Sequence, residues 1–136
     1  MATIVVGYDG SDCSRAALAA AVGLARPLGD EIIVVAAYEV NRLGGEIMDF
    51  AAALRERAER LAQLAQEQAA GLAVAVTTEV VEETPVAALT DVGDRVNARM
   101  IVVGSRGESP LRGALVGSVP HKLLQVAGRS VLVVPG

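Results

Sequence analysis

Gly104, Gly107, Gly113 and Gly117 punctuate one stretch that also carries Arg106, Arg112 and Ser118. Glycines let backbone amides turn toward a ligand with no β-carbon in the way. If a helix opens at Ser118, its first free N–H groups and the positive end of its dipole suit a phosphate. Arg106 and Arg112 would add charge-assisted bonds to the same oxygens, because a guanidinium matches phosphate geometry. Ser118 either bonds that phosphate or caps its own helix. Neither common phosphate fingerprint is present: no Gly-x-x-x-x-Gly-Lys followed by Ser or Thr, and no Gly-x-Gly-x-x-Gly after the first strand. On residue chemistry alone the stretch reads equally as a phosphate loop or a flexible connection.

The remaining reactive side chains form no catalytic set. His121, the one histidine, lies just inside the helix expected from Ser118, and no second group is spaced to orient it. Asp9, Glu39 and Glu108 could meet Mg²⁺ through phosphate oxygens and water, since Mg²⁺ rarely uses an all-protein cage. No residue is assigned to catalysis and none to a protein-built metal site. Cys13 is the one cysteine, which excludes an internal disulfide and suits a reducing compartment. It reads as a small residue in a first helical turn.

Composition narrows the class further. Apolar residues make up 52% of the 136 and aromatics only 2%, so the core is built of Ala, Val, Leu and Ile, as parallel strands under helices require. A formal charge of −4 gives no basic footprint for nucleic acid. No stretch approaches the roughly 18 apolar residues of a membrane span. The expectation is one domain over residues 1–136, cytoplasmic, with neither nucleic acid nor membrane as a partner.

The elements that must hold these residues alternate strand and helix. Thr3 to Tyr8 is a β-branched run closed by Asp9-Gly10-Ser11. A helix follows from Ser14 to Leu28, with Leu18, Val22, Ala25 and Leu28 on its buried stripe and Gly29-Asp30 as its stop. Glu31 to Tyr38 is the second strand, its Ile32-Ile33-Val34-Val35 too uniformly apolar for a half-exposed one. Ile47, Phe50, Leu54, Ala58, Leu61 and Leu64 then mark the buried stripe of a covering helix that ends near Gly71. Leu72 to Val81 is expected as the third strand. Thr84-Pro85 opens a third helix with Val86, Leu89, Val92 and Val96 inward. Met100 to Val103 is the fourth strand, a short helix runs from Ser118 to Ala127, and Val131 to Pro135 is the fifth strand. This order implies an open parallel sheet with helices on both faces and right-handed crossovers. Ligands of such sheets bind outside the carboxyl ends of the strands, where strand order reverses. The informative loops are therefore Asp9 to Ser11, Ala36 to Tyr38 and Gly104 to Ser118.

Gly104-x2-Gly107-x9-Gly117-Ser118 resembles the glycine motif of the ATP-binding branch of the universal stress protein family, and it stands after the fourth strand as in that family. The likeness covers the chain: Val5-Val6-Gly7-Tyr8-Asp9-Gly10-Ser11 is similar to the family's opening, and Val131-Leu132-Val133-Val134-Pro135 to its ending. The resemblance implies a Rossmann-like, adenine nucleotide alpha hydrolase-like sheet of order 3-2-1-4-5. It implies ATP, with Mg²⁺, as the ligand. Ala37 would present its backbone to adenine; Gly104, Arg106, Gly107, Gly117, Ser118 and Val119 would line ribose and phosphates. Asp9 would approach the ribose or a phosphate-bound metal, or else cap the first helix. The family's homodimer implies pairing through Val131 to Pro135. Function then follows as a nucleotide-dependent regulatory module with weak hydrolysis at most; a nucleotide-free dimeric scaffold and a slow ATP hydrolase or phosphotransferase are the alternatives. Two features depart from the family pattern: Pro120, which removes an amide from the first helical turn, and the Gly128-Arg129-Ser130 turn.

Overall fold

A computed structural model describes residues 1–40, 47–107 and 117–136. Strands β1 (Thr3–Gly7), β2 (Glu31–Tyr38), β3 (Val76–Glu82), β4 (Met100–Gly104) and β5 (Ser130–Val134) alternate with helices α1 (Asp12–Leu28), α2 (Ile47–Ala69), α3 (Pro85–Val96) and α4 (Ser118–Val126). The five strands form one sheet of order β3-β2-β1-β4-β5, and every pairing is parallel. The order reverses between β1 and β4, the strands at the middle of the sheet.

Alternate residues of each central strand face opposite ways, and both faces are covered. Ile4, Val6, Ile32, Val34 and Val102 pack with Leu18, Ala21 and Val22 of α1 and with Ala65 of α2. Val5, Ile33, Val35, Ile101 and Val103 pack with Leu89 and Val92 of α3 and with Leu123 of α4. Burial on two sides is why these strands read as continuous apolar runs rather than alternating ones. The lower ends of β1, β2 and β4 are tied together by Asp30. Its buried carboxylate accepts from the Ala2 amide at 3.1 Å and from Arg99 Nε at 2.5 Å, and the Arg99 bond holds its pKa below the usual carboxylate range. Among the described residues, no helix is long and apolar enough to cross a membrane.

Several boundaries differ from expectation for local reasons. Helix α1 starts at Asp12, not Ser14, because Ser11 caps it by accepting the Ser14 amide at 3.1 Å. Strand β3 starts at Val76, not Leu72: Gly71 and Ala73 both have positive φ, which turns the chain before it can extend. Leu72 and Val74 still pack against the core, which explains their apolar character. Helix α4 is capped by Gly117, with no side-chain bond, so Ser118 is its first residue rather than its cap. Strand β5 runs one residue earlier than expected at each end.

The buried stripe of α2 follows expectation at Ala58, which is buried, and at Leu61, which packs against the core, but not at its margins. Phe50 is 59% exposed and Leu64 50%, while Ala62, Ala65 and Ala69 are buried. Small side chains let this helix lie close against α1 and the sheet, and Phe50 and Leu64 are left at the surface. Leu28 of α1 is likewise exposed. The stripe of α3 follows expectation, with Leu89 and Val92 buried and Val86 and Val96 packed at its margins.

Candidate functional site

At the carboxyl ends of β1, β2 and β4 a cavity of about 330 Å³ opens beside the first turn of α4. Separate segments of the chain supply its walls. From the β1 end come Gly7, Tyr8 and Asp9; from β2, Val35 and Ala37. The β4 end and the segment after it give Val103, Gly104, Arg106 and Gly107, and the start of α4 gives Gly117, Ser118, Val119 and Pro120. All eight residues singled out for a ligand thus face one space. Arg112 and Glu108 lie outside the described residues.

The walls divide by chemistry. Val35, Val103, Leu89 and Pro85 make one side apolar. On that side β2 outruns β1: the β1 ladder ends at Val35, while the β3 ladder continues through Tyr38. The Val35 carbonyl accepts the Tyr8 amide at 3.0 Å, so odd-numbered residues of β2 direct their backbone groups toward β1. Ala37, two residues on, therefore points its N–H and C=O to the side on which β1 has ended. A donor and an acceptor stand together at the edge of an apolar slot.

The other side is polar. Gly117 N–H donates to the Ser105 carbonyl at 2.6 Å and Ser105 N–H to the Val134 carbonyl at 2.8 Å, which clamps the start of α4 to the ends of β4 and β5. With the Gly117 amide used and Pro120 lacking one, the first-turn donors are the amides of Ser118 and Val119. They sit at the positive end of the α4 dipole, and Arg106 adds a full charge on the same wall. Facing them is Asp9, whose Oδ1 accepts from the Ser11 amide at 3.0 Å and the Ser11 hydroxyl at 2.5 Å. Asp9 thus braces the turn before α1, while the capping bond itself belongs to Ser11. Its second oxygen faces Gly107, where a β-carbon would stand 2.9 Å from Oδ2.

Gly104 is closer still: a β-carbon there would lie 2.6 Å from the main-chain carbon of Cys13, in the first turn of α1. The Cys13 thiol is half-buried and 3.8 Å from the Ser105 hydroxyl. His121 is exposed and does not line the cavity. Tyr8 lines it, and its hydroxyl donates to Gln68 Oε1 of α2 at 3.4 Å. Burial pushes the Tyr8 phenol above its ordinary range, with Asp9 adding to the shift and Arg15 opposing it.

Pro85, Leu89 and Ser14 also line the cavity, and residue types alone do not point to them. The loop after β3 is absent from the informative set, although Thr84-Pro85 starts a helix at the same end of the sheet as the others. Ser14 hides within an ordinary helix start.

Comparison with known proteins agrees with this architecture. The chain is 38% identical to universal stress protein Rv2005c of Mycobacterium tuberculosis over 97% of its own length and 45% of that protein. It therefore spans about half the length of this relative and of its mycobacterial counterparts. It is 29% identical to universal stress protein YxiE of Bacillus subtilis, over 96% of the chain and 97% of that protein. Among solved structures, a universal stress protein in complex with cAMP superposes with a TM-score of 0.76 at 29% identity, covering 98% of this chain and 96% of that one. The family model of the universal stress proteins matches residues 1–135, and the chain belongs to that family.

Proposed function

We propose that this chain binds an adenine nucleotide, ATP with Mg²⁺, and acts as a nucleotide-dependent regulatory module of the cytoplasm with weak hydrolysis at most. One observation carries the reading: an apolar slot edged by the Ala37 donor–acceptor pair adjoins a polar wall of Ser118 and Val119 amides, Arg106 and Asp9. The Watson–Crick edge of adenine offers the complementary acceptor and donor, and a phosphate suits a helix N-terminus beside a guanidinium. The similar protein that binds cAMP supports an adenine nucleotide over other anions. Gly104, Gly107 and Gly117 let the chain approach the ligand closely.

The site fits Mg²⁺ only as a companion of phosphates. Asp9 is the one carboxylate lining the cavity among the described residues, and no group of three metal-ligating side chains stands among them. Mg²⁺ would enter on nucleotide oxygens and water, with Asp9 as its protein neighbour. Asp9 is committed to the turn before α1 through its bonds from Ser11, and we read occupancy, rather than turnover, as the signal.

Mass spectrometry of small molecules released from the freshly purified, denatured protein tests the reading. Recovery of ATP or another adenine nucleotide in near-stoichiometric amount is expected; protein that neither retains nor takes up any adenine nucleotide would refute it.

A second property rests on a different surface. Strand β5 is an edge of the sheet, and Leu124, Val126 and Leu132 beside it are exposed by 61%, 50% and 36%. These support a homodimer through β5, whose edge would otherwise stay open. Light scattering at micromolar concentration should give twice the chain mass, and the chain mass alone would count against it.

A further inference from the structure

The bonds around Asp9 close into a ring that the glycine motif does not include. Besides donating to Asp9 Oδ1 at 2.5 Å, the Ser11 hydroxyl accepts the Ser14 amide at 3.1 Å. Ser14 Oγ donates to the Ser11 carbonyl at 3.0 Å and accepts the Asp9 amide at 3.4 Å. Ser14 is buried and lines the cavity. A hydroxyl has one proton and two lone pairs. Ser11 therefore gives its proton to Asp9 and a lone pair to the helix, two tasks carried by different halves of one group.

We propose that Ser11 is a positioning residue of the ligand site. Its O–H holds the Asp9 carboxylate in a single rotamer, with Oδ1 fixed in the turn before α1 and Oδ2 toward Gly107, so that a donor on the ligand meets an acceptor already aimed. The ligand's identity rests on the nucleotide reading above; the orientation of Asp9 does not.

Because the tasks are separable, substitution can separate them. Glycine is tolerated at a helix N-cap but supplies no hydroxyl, whereas threonine supplies the hydroxyl and caps as well. Couplings between the α and β protons of Asp9, measured on the ligand-free chain, should report one staggered rotamer in the wild type and in Ser11→Thr, and averaging in Ser11→Gly. A single unchanged rotamer in Ser11→Gly would overturn the proposal. Titration of ATP with Mg²⁺ should then show Ser11→Gly weakening binding about tenfold, as for loss of a bond to a charged group. In an Asp9→Ala background, which leaves the Ser11 hydroxyl no side-chain acceptor, the same change should add nothing, because Ser11 acts through Asp9. Losses that simply add across the two backgrounds would overturn it, as expected if Ser11 only caps α1. If the wild-type chain takes up no adenine nucleotide, the nucleotide reading fails on its own, and the Asp9 couplings still decide the role of Ser11.

Discussion

A β-carbon on Gly107 would stand 2.9 Å from Asp9 Oδ2, so the second glycine of the loop is matched to an acid at the end of β1. The first is matched to main chain, since a β-carbon on Gly104 would come 2.6 Å from the carbonyl carbon of Cys13 and 2.9 Å from its oxygen. The third, Gly117, donates to the Ser105 carbonyl. The spacing of these glycines therefore describes how the segment after β4 seats on the turn before α1, with the cavity left between them.

Gly107→Ala should impair binding more than folding. The atom in its way is the far end of an Asp side chain, which can rotate, and rotation carries the carboxylate away from the position set by Ser11. Loss of one oriented bond to a charged group predicts roughly tenfold weaker nucleotide binding. Calorimetric titration and a thermal melt of the same sample measure both quantities; an unchanged affinity would show that Asp9 orientation does not matter to the ligand.

Gly104→Ala should do the reverse and strike the fold. Its obstacle is backbone at the start of α1, and neither chain can yield without disturbing β4 or the helix. Overpacking of this kind costs about 1–3 kcal/mol. Urea denaturation should show a lower midpoint with an unchanged slope, and wild-type stability would contradict the packing described.

Glu83, between β3 and the Thr84 cap of α3, gives the stability of the chain a pH dependence. A hydrogen bond with Asp91 raises its carboxyl above the ordinary range, helped by burial and by the Asp91 charge. Its Oε2 is buried with no hydrogen-bond partner among the described residues. A raised acid stabilises the fold fully below its unfolded value and loses that contribution as pH rises through the folded value. Glu83→Gln, whose amide donates to Asp91 at every pH, should therefore gain stability relative to wild type on going from acid to neutral pH. Parallel denaturation curves at about pH 3 and about pH 7, either side of the ordinary carboxylate range, check this. A constant difference would exclude the shared proton.

Much of this architecture is legible from residue types, and the exceptions have physical causes. Thr84-Pro85 announces α3, and Thr84 caps it by accepting the Ala87 amide at 3.2 Å. Ser118 looks like the same device, but Gly117 holds the extended cap conformation and leaves the serine inside the helix with its amide toward the cavity. Apolar periodicity finds α2 and, through Ala58 and Leu61, its packed face, but places the stripe off-centre, because hydrophobicity favours Phe50 and Leu64 whereas close packing selects Ala62, Ala65 and Ala69. Strand β3 reads too long because Leu72 and Val74 are apolar for packing, with the turn hidden in the positive φ of Ala73, a residue that rarely adopts it. The motif places eight residues on one cavity, while Pro85 and Leu89 carry no signature and are found only once β3 and α3 are seated.

The central claim is a nucleotide in the cavity between Asp9 and the first turn of α4, and its most direct test is titration of ATP with Mg²⁺ into the stripped wild type and Gly117→Asp. Aspartate is favoured at a helix N-cap and a β-carbon there would stand 3.3 Å from the Ser105 carbonyl oxygen, a contact relieved by a few tenths of an ångström, so this variant should keep its fold while placing a negative charge against the phosphate position. Saturable binding by the wild type, abolished in a variant that still unfolds cooperatively, is the predicted result; no heat of binding with the folded wild type, or equal binding by both, would contradict the account.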